Sequence, residues 1–308
     1  MAVSSAPYLR SPVATPHSAQ AAGDAPPPIA SKSSTGRRFD PRRVYTAVVL
    51  APAIWAVIRY LPPWTFTLLL VAGGSIALFE LYRMAFGGRT NRMLVGLGLT
   101  LAAFVISRAH LGLTAADVLL PGTMALILAM LFTDAPAEHR FKDTATVLFG
   151  VLYVGLTLGA LAGTRALPGG EWLVLFVALV TWAGDTGAYY AGSLWGRHLL
   201  APRVSPKKTM EGLLGGLVLS VLAALLARAW FLPGFSLADA LILGILLTGG
   251  GLLGDLSESA IKRSAGVKDS GGILPGHGGM LDRLDSLLFT APAFYYYVAL
   301  VRGVTTLP

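Results

Sequence analysis

The sequence predicts an all-α, polytopic integral membrane protein with about nine transmembrane helices. Three observations predict it. Of 308 residues, 54% are hydrophobic and only 13% charged, against about 25% charged in an average soluble domain. Apolar runs long enough to cross, or nearly cross, a bilayer recur between Val44 and Val301. The basic residues also alternate between the two ends of successive runs, as the positive-inside rule expects of a multi-pass chain.

Taken in order, residues 1–43 come first. They are rich in Ala, Ser and Pro, hold no sustained apolar run and end in Arg37, Arg38, Arg42 and Arg43. Such a segment cannot bury enough apolar surface to fold, so it reads as a disordered basic cytoplasmic tail, drawn to anionic headgroups by its arginines. A cleaved signal peptide would need an uninterrupted apolar core after its first charges, and none precedes Val44. The expected spans of the transmembrane domain, 44–308, are Val44–Ile58, Trp64–Met84, Met93–Ile106, Ala116–Phe132, Thr144–Leu161, Trp172–Tyr190, Leu213–Trp230, Leu237–Leu256 and Leu287–Val301. The third and fourth are short, consistent with tilt or re-entry. No internal period and no separate soluble domain is visible.

With the tail inside, the cytoplasmic segments hold its own basic residues, then Arg83, Arg89 and Arg92, then Arg140 and Lys142, then Arg197, Arg203, Lys207 and Lys208, then Lys262, Arg263, Lys268 and Arg283. Only Arg59, Arg108, Arg165, Arg228 and Arg302 of the 24 fall on the other side. The N-terminus is therefore expected inside and the C-terminus outside. The formal charge of +8 thus points to membrane orientation and not to nucleic acid. The absence of cysteine excludes disulfides, thiolate metal sites and a cysteine nucleophile. Five scattered histidines make no zinc cluster.

The chemistry gathers in the expected cytoplasmic loops. Ser259 to Ser286 carries Lys262, Arg263, Lys268 and Arg283, the carboxylates Asp269, Asp282 and Asp285, His277 and six glycines, among them Gly271, Gly272, Gly276, Gly278 and Gly279. Fixed cations neutralise phosphate oxygens, hard carboxylates suit Mg²⁺, and glycines let a backbone approach a ligand. Just before it, Asp255, Glu258, Ser259 and Lys262 stand at i, i+3, i+4 and i+7, one face of a helix. Asp282, Asp285 and Ser286 repeat that spacing where the ninth helix begins; Asp282 there would also serve as a helix cap. Several acids converging from two helix ends are better explained by metal ions than by capping.

Two further segments join them. Asp185 lies inside the sixth apolar run, where an ionised carboxylate is costly unless paired or metal-bound; Gly184, Gly187 and Gly192 beside it fit a close-packing face. The loop Arg203, Val204, Ser205, Pro206, Lys207, Lys208, Thr209, Met210, Glu211, Gly212 aims two ammonium groups, a hydroxyl and free amides at one spot before a helix. It is no P-loop, because its glycines follow the lysines. Glu80, three residues from Arg83, reads as an interfacial ion pair. Trp64, Trp172, Trp230 and Tyr295 to Tyr297 read as belt or core aromatics.

With those residues in view, the chain resembles the phosphatidate cytidylyltransferase (CDP-diacylglycerol synthase) family. Ser259, Lys262, Arg263, Lys268, Asp269, His277, Gly278, Gly279, Asp282, Arg283 and Asp285 are similar to that family's long C-terminal motif with its spacing intact. So are the run Gly254 to Ser259, the segment Gly184, Asp185, Gly187, Ala188, Tyr189, and the stretch Ser205 to Gly212. The likeness is sharp over about 181–286 and only hydropathic before that; the tail is longer than in typical bacterial members. The resemblance implies that CTP and phosphatidic acid react to CDP-diacylglycerol and pyrophosphate in phospholipid biosynthesis, with Mg²⁺ required and a second cation left open. It implies a multi-pass protein of the bacterial cytoplasmic (inner) membrane, with the site on the cytoplasmic face. Asp255, Asp282 and Asp285 are then expected to hold metal, with Asp185 and Glu258 as alternate or outer ligands. Lys207, Lys208 and Arg283 would bind triphosphate. Lys262, Arg263 and Lys268 would engage phosphatidate or departing pyrophosphate, and His277 would touch phosphate or fix the glycine loop. Ser205, Thr209, Asp269, Gly278 and Gly279 are expected among the substrate-binding residues. Beyond the substrates and the bilayer, a homodimer is left open and no nucleic acid is expected.

Two rivals stand beside this reading. A CTP-dependent polyprenol kinase would transfer the terminal phosphoryl group to a lipid hydroxyl and so would want a base there. An anion transporter would need a path polar on both faces, whereas these acids and glycine loops cluster on one.

Overall fold

The computed structural model describes residues 52–87, 91–133, 135–271 and 278–304. The basic tail, the start of the first apolar run, Arg89, Gly272, Gly276 and His277 lie outside the described residues. Helices dominate: α1 (52–60), α2 (Pro63–Ala85), α3 (Arg92–Ser107), α4 (Ala115–Leu131), α5 (Ala137–Gly150), a π-helical stretch (Val151–Leu156), α6 (Thr157–Ala166), α7 (Gly170–Trp195), α8 (Met210–Trp230), α9 (Leu237–Ser264) and α10 (Leu281–Tyr296), which ends in a second π-helical stretch (Tyr297–Val301). Between α7 and α8 sits an antiparallel hairpin, β1 (Leu199–Ala201) and β2 (Ser205–Thr209), pairing Leu199 with Thr209 and Ala201 with Ser205.

Local chemistry fixes the boundaries. Pro63 opens α2, where its missing N–H costs nothing. Reciprocal capping boxes, Thr114 with Asp117 and Ser236 with Asp239, start α4 and α9. Asn91 caps α3 and Thr209 caps α8, each accepting a backbone N–H three residues on. Such caps hold helix ends whose first amides find no partner within the helix.

Among the described residues, six helical segments are long and apolar enough to cross a membrane: Pro63–Ala85, Ala137–Ala166, Gly170–Trp195, Met210–Trp230, Leu237–Ser264 and Leu281–Val301. Arg92–Ser107 and Ala115–Leu131 are shorter, as their sequence suggested. The expected run Leu237–Leu256 continues as helix to Ser264, which keeps Asp255, Glu258 and Lys262 on one continuous helix. Leu120, Met124, Leu128, Leu222, Leu226 and Ile245 stay exposed, an apolar exterior that only lipid or a partner would cover.

Two apolar cores organise the molecule. One joins α2, α3, the first π-helical stretch and α6; the other joins α7, α8 and α9. Helix α10 serves both, placing Leu281, Leu288 and Ala291 in the first and Phe294 in the second. Phe294 packs against Phe176 and Phe235, at centroid distances of 5.5 and 6.5 Å. The acids at the start of α10 are thereby fixed relative to both halves.

Glycines let α7 and α8 approach to backbone contact, as the packing-face reading expected. A β-carbon on Gly187 would collide with the Gly215 carbonyl, and one on Gly215 with Ala191. Ser220 on α8 donates to the Val180 carbonyl of α7 across this contact, at 3.1 Å. The same device joins α9 to α10, where a β-carbon on Gly254 would strike the Asp285 carbonyl. Small residues at such crossings are how helices associate without a hydrophobic driving force between them.

Candidate active site

The hairpin and three helices, α7, α9 and α10, build the site. Glu211 closes the hairpin's base: one carboxylate oxygen accepts from the amides of Arg197 and His198, at 3.1 and 3.2 Å, and the other meets His198 Nδ1 at 2.6 Å. With that base held and Thr209 capping α8, β2 delivers Lys208 inward and leaves Lys207 exposed. Lys208 Nζ lies 2.6 Å from Asp255 Oδ2 on α9. Asp185 on α7 faces Lys208, Asp255 and Ser286.

The stripe expected along α9 forms. Asp255 accepts from Ser259 at 3.3 Å, and Glu258, almost fully buried, pairs with Lys262 at 2.6 Å. Lys262 Nζ stands equally close, 2.6 Å, to Asp282 Oδ1 on α10, so one ammonium bridges two carboxylates. Asp285 Oδ1 accepts the amide of Ser286 at 2.6 Å. Arg263, Lys268, Asp269 and Arg283 are exposed around this centre; Gly278 adopts positive φ, +79°, and Gly279 donates to Asp282 at 3.0 Å.

One oxygen each from Asp255, Glu258 and Asp285 lies within 4.8 Å of the others. Among the described residues Glu258 Oε1 is buried with no hydrogen-bond partner, which is expensive for a carboxylate oxygen left alone. Hard oxygens crowded to this degree, one of them orphaned, fit a divalent cation of the Mg²⁺ type. The emphasis therefore shifts within the acids expected from sequence. Asp255 and Asp285 come together as anticipated, and Glu258, expected only as an alternate ligand, completes the set. Asp282 instead spends its oxygens on Lys262, on both the amide and hydroxyl of Ser270 at 3.2 and 2.9 Å, and on Gly279.

Two residues escaped sequence reasoning. Tyr153, on the π-helical stretch inside an expected span, buries a hydroxyl that has no hydrogen-bond partner among the described residues and faces Glu258, Asp285 and Asp255. An interruption of α-helical regularity is a common mark of functional positions, but nothing in the hydropathy of this run announces it. Glu80 is the second, and its sequence reading is corrected: it forms no ion pair with Arg83. It is 1% exposed and reaches into the motif segment, accepting from Leu281 N at 3.0 Å and Ser270 Oγ at 3.3 Å. A helix places residues 80 and 83 on neighbouring surfaces, yet the stronger pull is the buried, uncapped start of α10.

Comparison with known proteins agrees with this geometry. The model of the cytidylyltransferase family matches residues 41–301. The phosphatidate cytidylyltransferase of Bacillus subtilis (strain 168) is 35% identical over 268 residues, spanning 84% of this chain and 97% of that protein. The phosphatidate cytidylyltransferase of Staphylococcus saprophyticus is 43% identical over 178 residues, 57% of this chain and 68% of that protein. With acids, lysines and hairpin converging inside the matched region, and the alignment running nearly the full length of the Bacillus protein, the chain belongs to the cytidylyltransferase family.

Proposed function

We infer that this protein transfers the cytidylyl group of CTP to phosphatidic acid, releasing pyrophosphate and forming CDP-diacylglycerol. The observation that carries the reading is the convergence of Asp255, Glu258 and Asp285 beside Lys208 and Lys262, in a chain aligned along 97% of a phosphatidate cytidylyltransferase.

A phosphatidate phosphate oxygen forms the new bond to the α-phosphorus of CTP, and the bond from that phosphorus to the β-phosphate bridging oxygen breaks. The nucleophile is already an anion near neutral pH, so no general base is required. What remains is to align two polyanions and to stabilise charge growing on the leaving pyrophosphate. Asp255, Glu258 and Asp285 would hold Mg²⁺, which when bound supplies charge neutralisation and Lewis acidity at the phosphates. Lys208, already turned inward by the hairpin, exchanges its Asp255 contact for triphosphate oxygens. Lys207 and Arg283 extend that grip from the rim. Lys262 bridges Glu258 and the half-buried Asp282 and offers a proton donor to phosphate. Arg263 and Lys268, exposed at the end of α9, meet phosphatidate's headgroup, and the Tyr153 hydroxyl donates to a phosphate oxygen from the membrane side.

The finer topology belongs to the same reading. Counting the run from Val44 and the two shorter helices gives nine spans, with the N-terminus in the cytoplasm, the C-terminus outside and the site on the cytoplasmic side of a bacterial inner membrane. The support is the alternation of basic residues between loops. The lipid's acyl chains remain in hydrocarbon while its phosphate reaches the acids.

The test uses purified, detergent-solubilised protein with phosphatidate in mixed micelles. CTP labelled at the α-phosphate should pass its label into lipid only when Mg²⁺ is present, and EDTA should abolish the transfer. Label from the γ-phosphate entering lipid would identify a kinase instead. Absence of pyrophosphate release without compartments would leave transport as the better account.

A further inference from the structure

Helix α10 begins without a cap of its own. Its preceding residue, Met280, has no side chain able to accept an amide, and no side-chain cap is made there. Yet this start is buried, with Leu281 fully enclosed, where free amides are costly. The missing acceptor comes from the other end of the chain. Glu80 Oε2, on α2, takes the Leu281 amide at 3.0 Å and lies 3.3 Å from the Ser270 hydroxyl. Gly271 and Gly279 make room for it: a β-carbon at either position would press on the Glu80 carboxylate.

From there a continuous polar chain runs to the acids. Ser270 meets Asp282 through its amide and hydroxyl, Asp282 meets Lys262 at 2.6 Å, and Lys262 meets Glu258 at 2.6 Å. Glu258 belongs to the cation-sized trio with Asp255 and Asp285. Every link is a short contact between buried or half-buried groups, so moving one end moves the next. We propose that Glu80 is a positioning residue that caps α10 from a distance and, through Ser270, Asp282 and Lys262, sets the spacing of the divalent-cation ligands.

The proposal rests on the cation reading of that trio and concerns where an acceptor stands. Its charge is secondary: among the described residues Glu80 Oε1 has no hydrogen-bond partner, so an amide NH₂ can replace it while the amide oxygen keeps both contacts. Glu80→Gln should therefore preserve cation binding, whereas Glu80→Asp, shorter by about 1.5 Å, and Glu80→Ala should each weaken it. Groups that orient metal ligands typically change affinity by about 10- to 100-fold when removed, and a loss of about tenfold is expected for the Asp and Ala variants.

The experiment titrates full-length protein in detergent with Mn²⁺, without substrates, and reads free Mn²⁺ by electron paramagnetic resonance. Binding within about threefold of wild type for Gln, with about tenfold loss for Asp, supports the proposal. If the Ala variant aggregates, the Gln and Asp pair carries the test, since both retain a polar group on α2. Wild-type affinity in Glu80→Asp would overturn it, and so would a Gln variant as weak as Asp, because charge would then be the cause. Failure of the wild-type protein to bind Mn²⁺ would instead sink the cation reading beneath it.

Discussion

Lys208 at the end of β2 and Asp255 on α9 stand 2.6 Å apart although 47 residues separate them, closing the hairpin onto the acidic face of the helix. The pair satisfies both charges at a partly exposed site. Lys208→Ala should raise the CTP concentration for half-maximal rate by at least tenfold and the phosphatidate requirement much less, since about 1.4 kcal/mol corresponds to a factor of ten. Steady-state rates in mixed micelles, varying each substrate separately, check this; the reverse pattern would reassign the hairpin to the lipid.

Glu258 and Asp255 differ in burial, yet each is paired with a lysine, Lys262 and Lys208, and each offers an oxygen to the proposed cation. Removing one preorganised electrostatic contact commonly costs about 100- to 1,000-fold in turnover. Both Glu258→Gln and Asp255→Asn should fall in that range at saturating substrate, and excess Mg²⁺ should restore neither fully. Full turnover at high Mg²⁺ would remove these residues from the ligand set.

Asp282 and Lys262 make a structural claim that stability can test. Lys262→Met removes the ammonium that bridges the buried Glu258 and the half-buried Asp282. Breaking a buried pair by deleting one partner costs about 3–5 kcal/mol, so a substantial drop in melting temperature is expected in detergent. Asp282→Asn should be milder in stability, because the amide oxygen still accepts from Ser270 and Gly279. A Lys262→Met protein as stable as wild type would show that these carboxylates are relieved another way.

Tyr153→Phe deletes a buried hydroxyl with no protein partner. If that hydroxyl only fills space, the change is neutral or stabilising. The proposed donation to phosphate expects unchanged stability with turnover lowered about tenfold, a decrement of about 1.4 kcal/mol. Thermal melts and rates measured on one preparation separate the two.

Gly215 carries the α7–α8 approach. Gly215→Val places a branched side chain against Ala191 and the Gly187 carbonyl, and overpacking of this kind costs about 1–3 kcal/mol or more. Because α8 begins at the hairpin, the variant should also weaken CTP use. Retained stability would show that the helices part easily.

The helical architecture, the candidate spans and most of the site were legible in the residues themselves. Apolar period and length decide where a helix must form in lipid, and i, i+3, i+4 spacing puts Asp255, Glu258 and Lys262 on one face whatever surrounds them. What sequence alone left undecided was partnership. Residues three apart on a helix are near neighbours, which by sequence alone pairs Glu80 with Arg83, but its acceptor is needed 201 residues away at Leu281. Asp282 was grouped with the metal ligands because its spacing to Asp285 matches that of Asp255 to Glu258, and only packing shows its oxygens occupied by Lys262, Ser270 and Gly279. Tyr153 is one aromatic in an apolar run until α9 and α10 bring three carboxylates before it. Local periodicity is written into neighbouring residues, whereas the pairing of buried charges depends on which helices touch, and that is settled by the glycine contacts and the two cores that meet along α10.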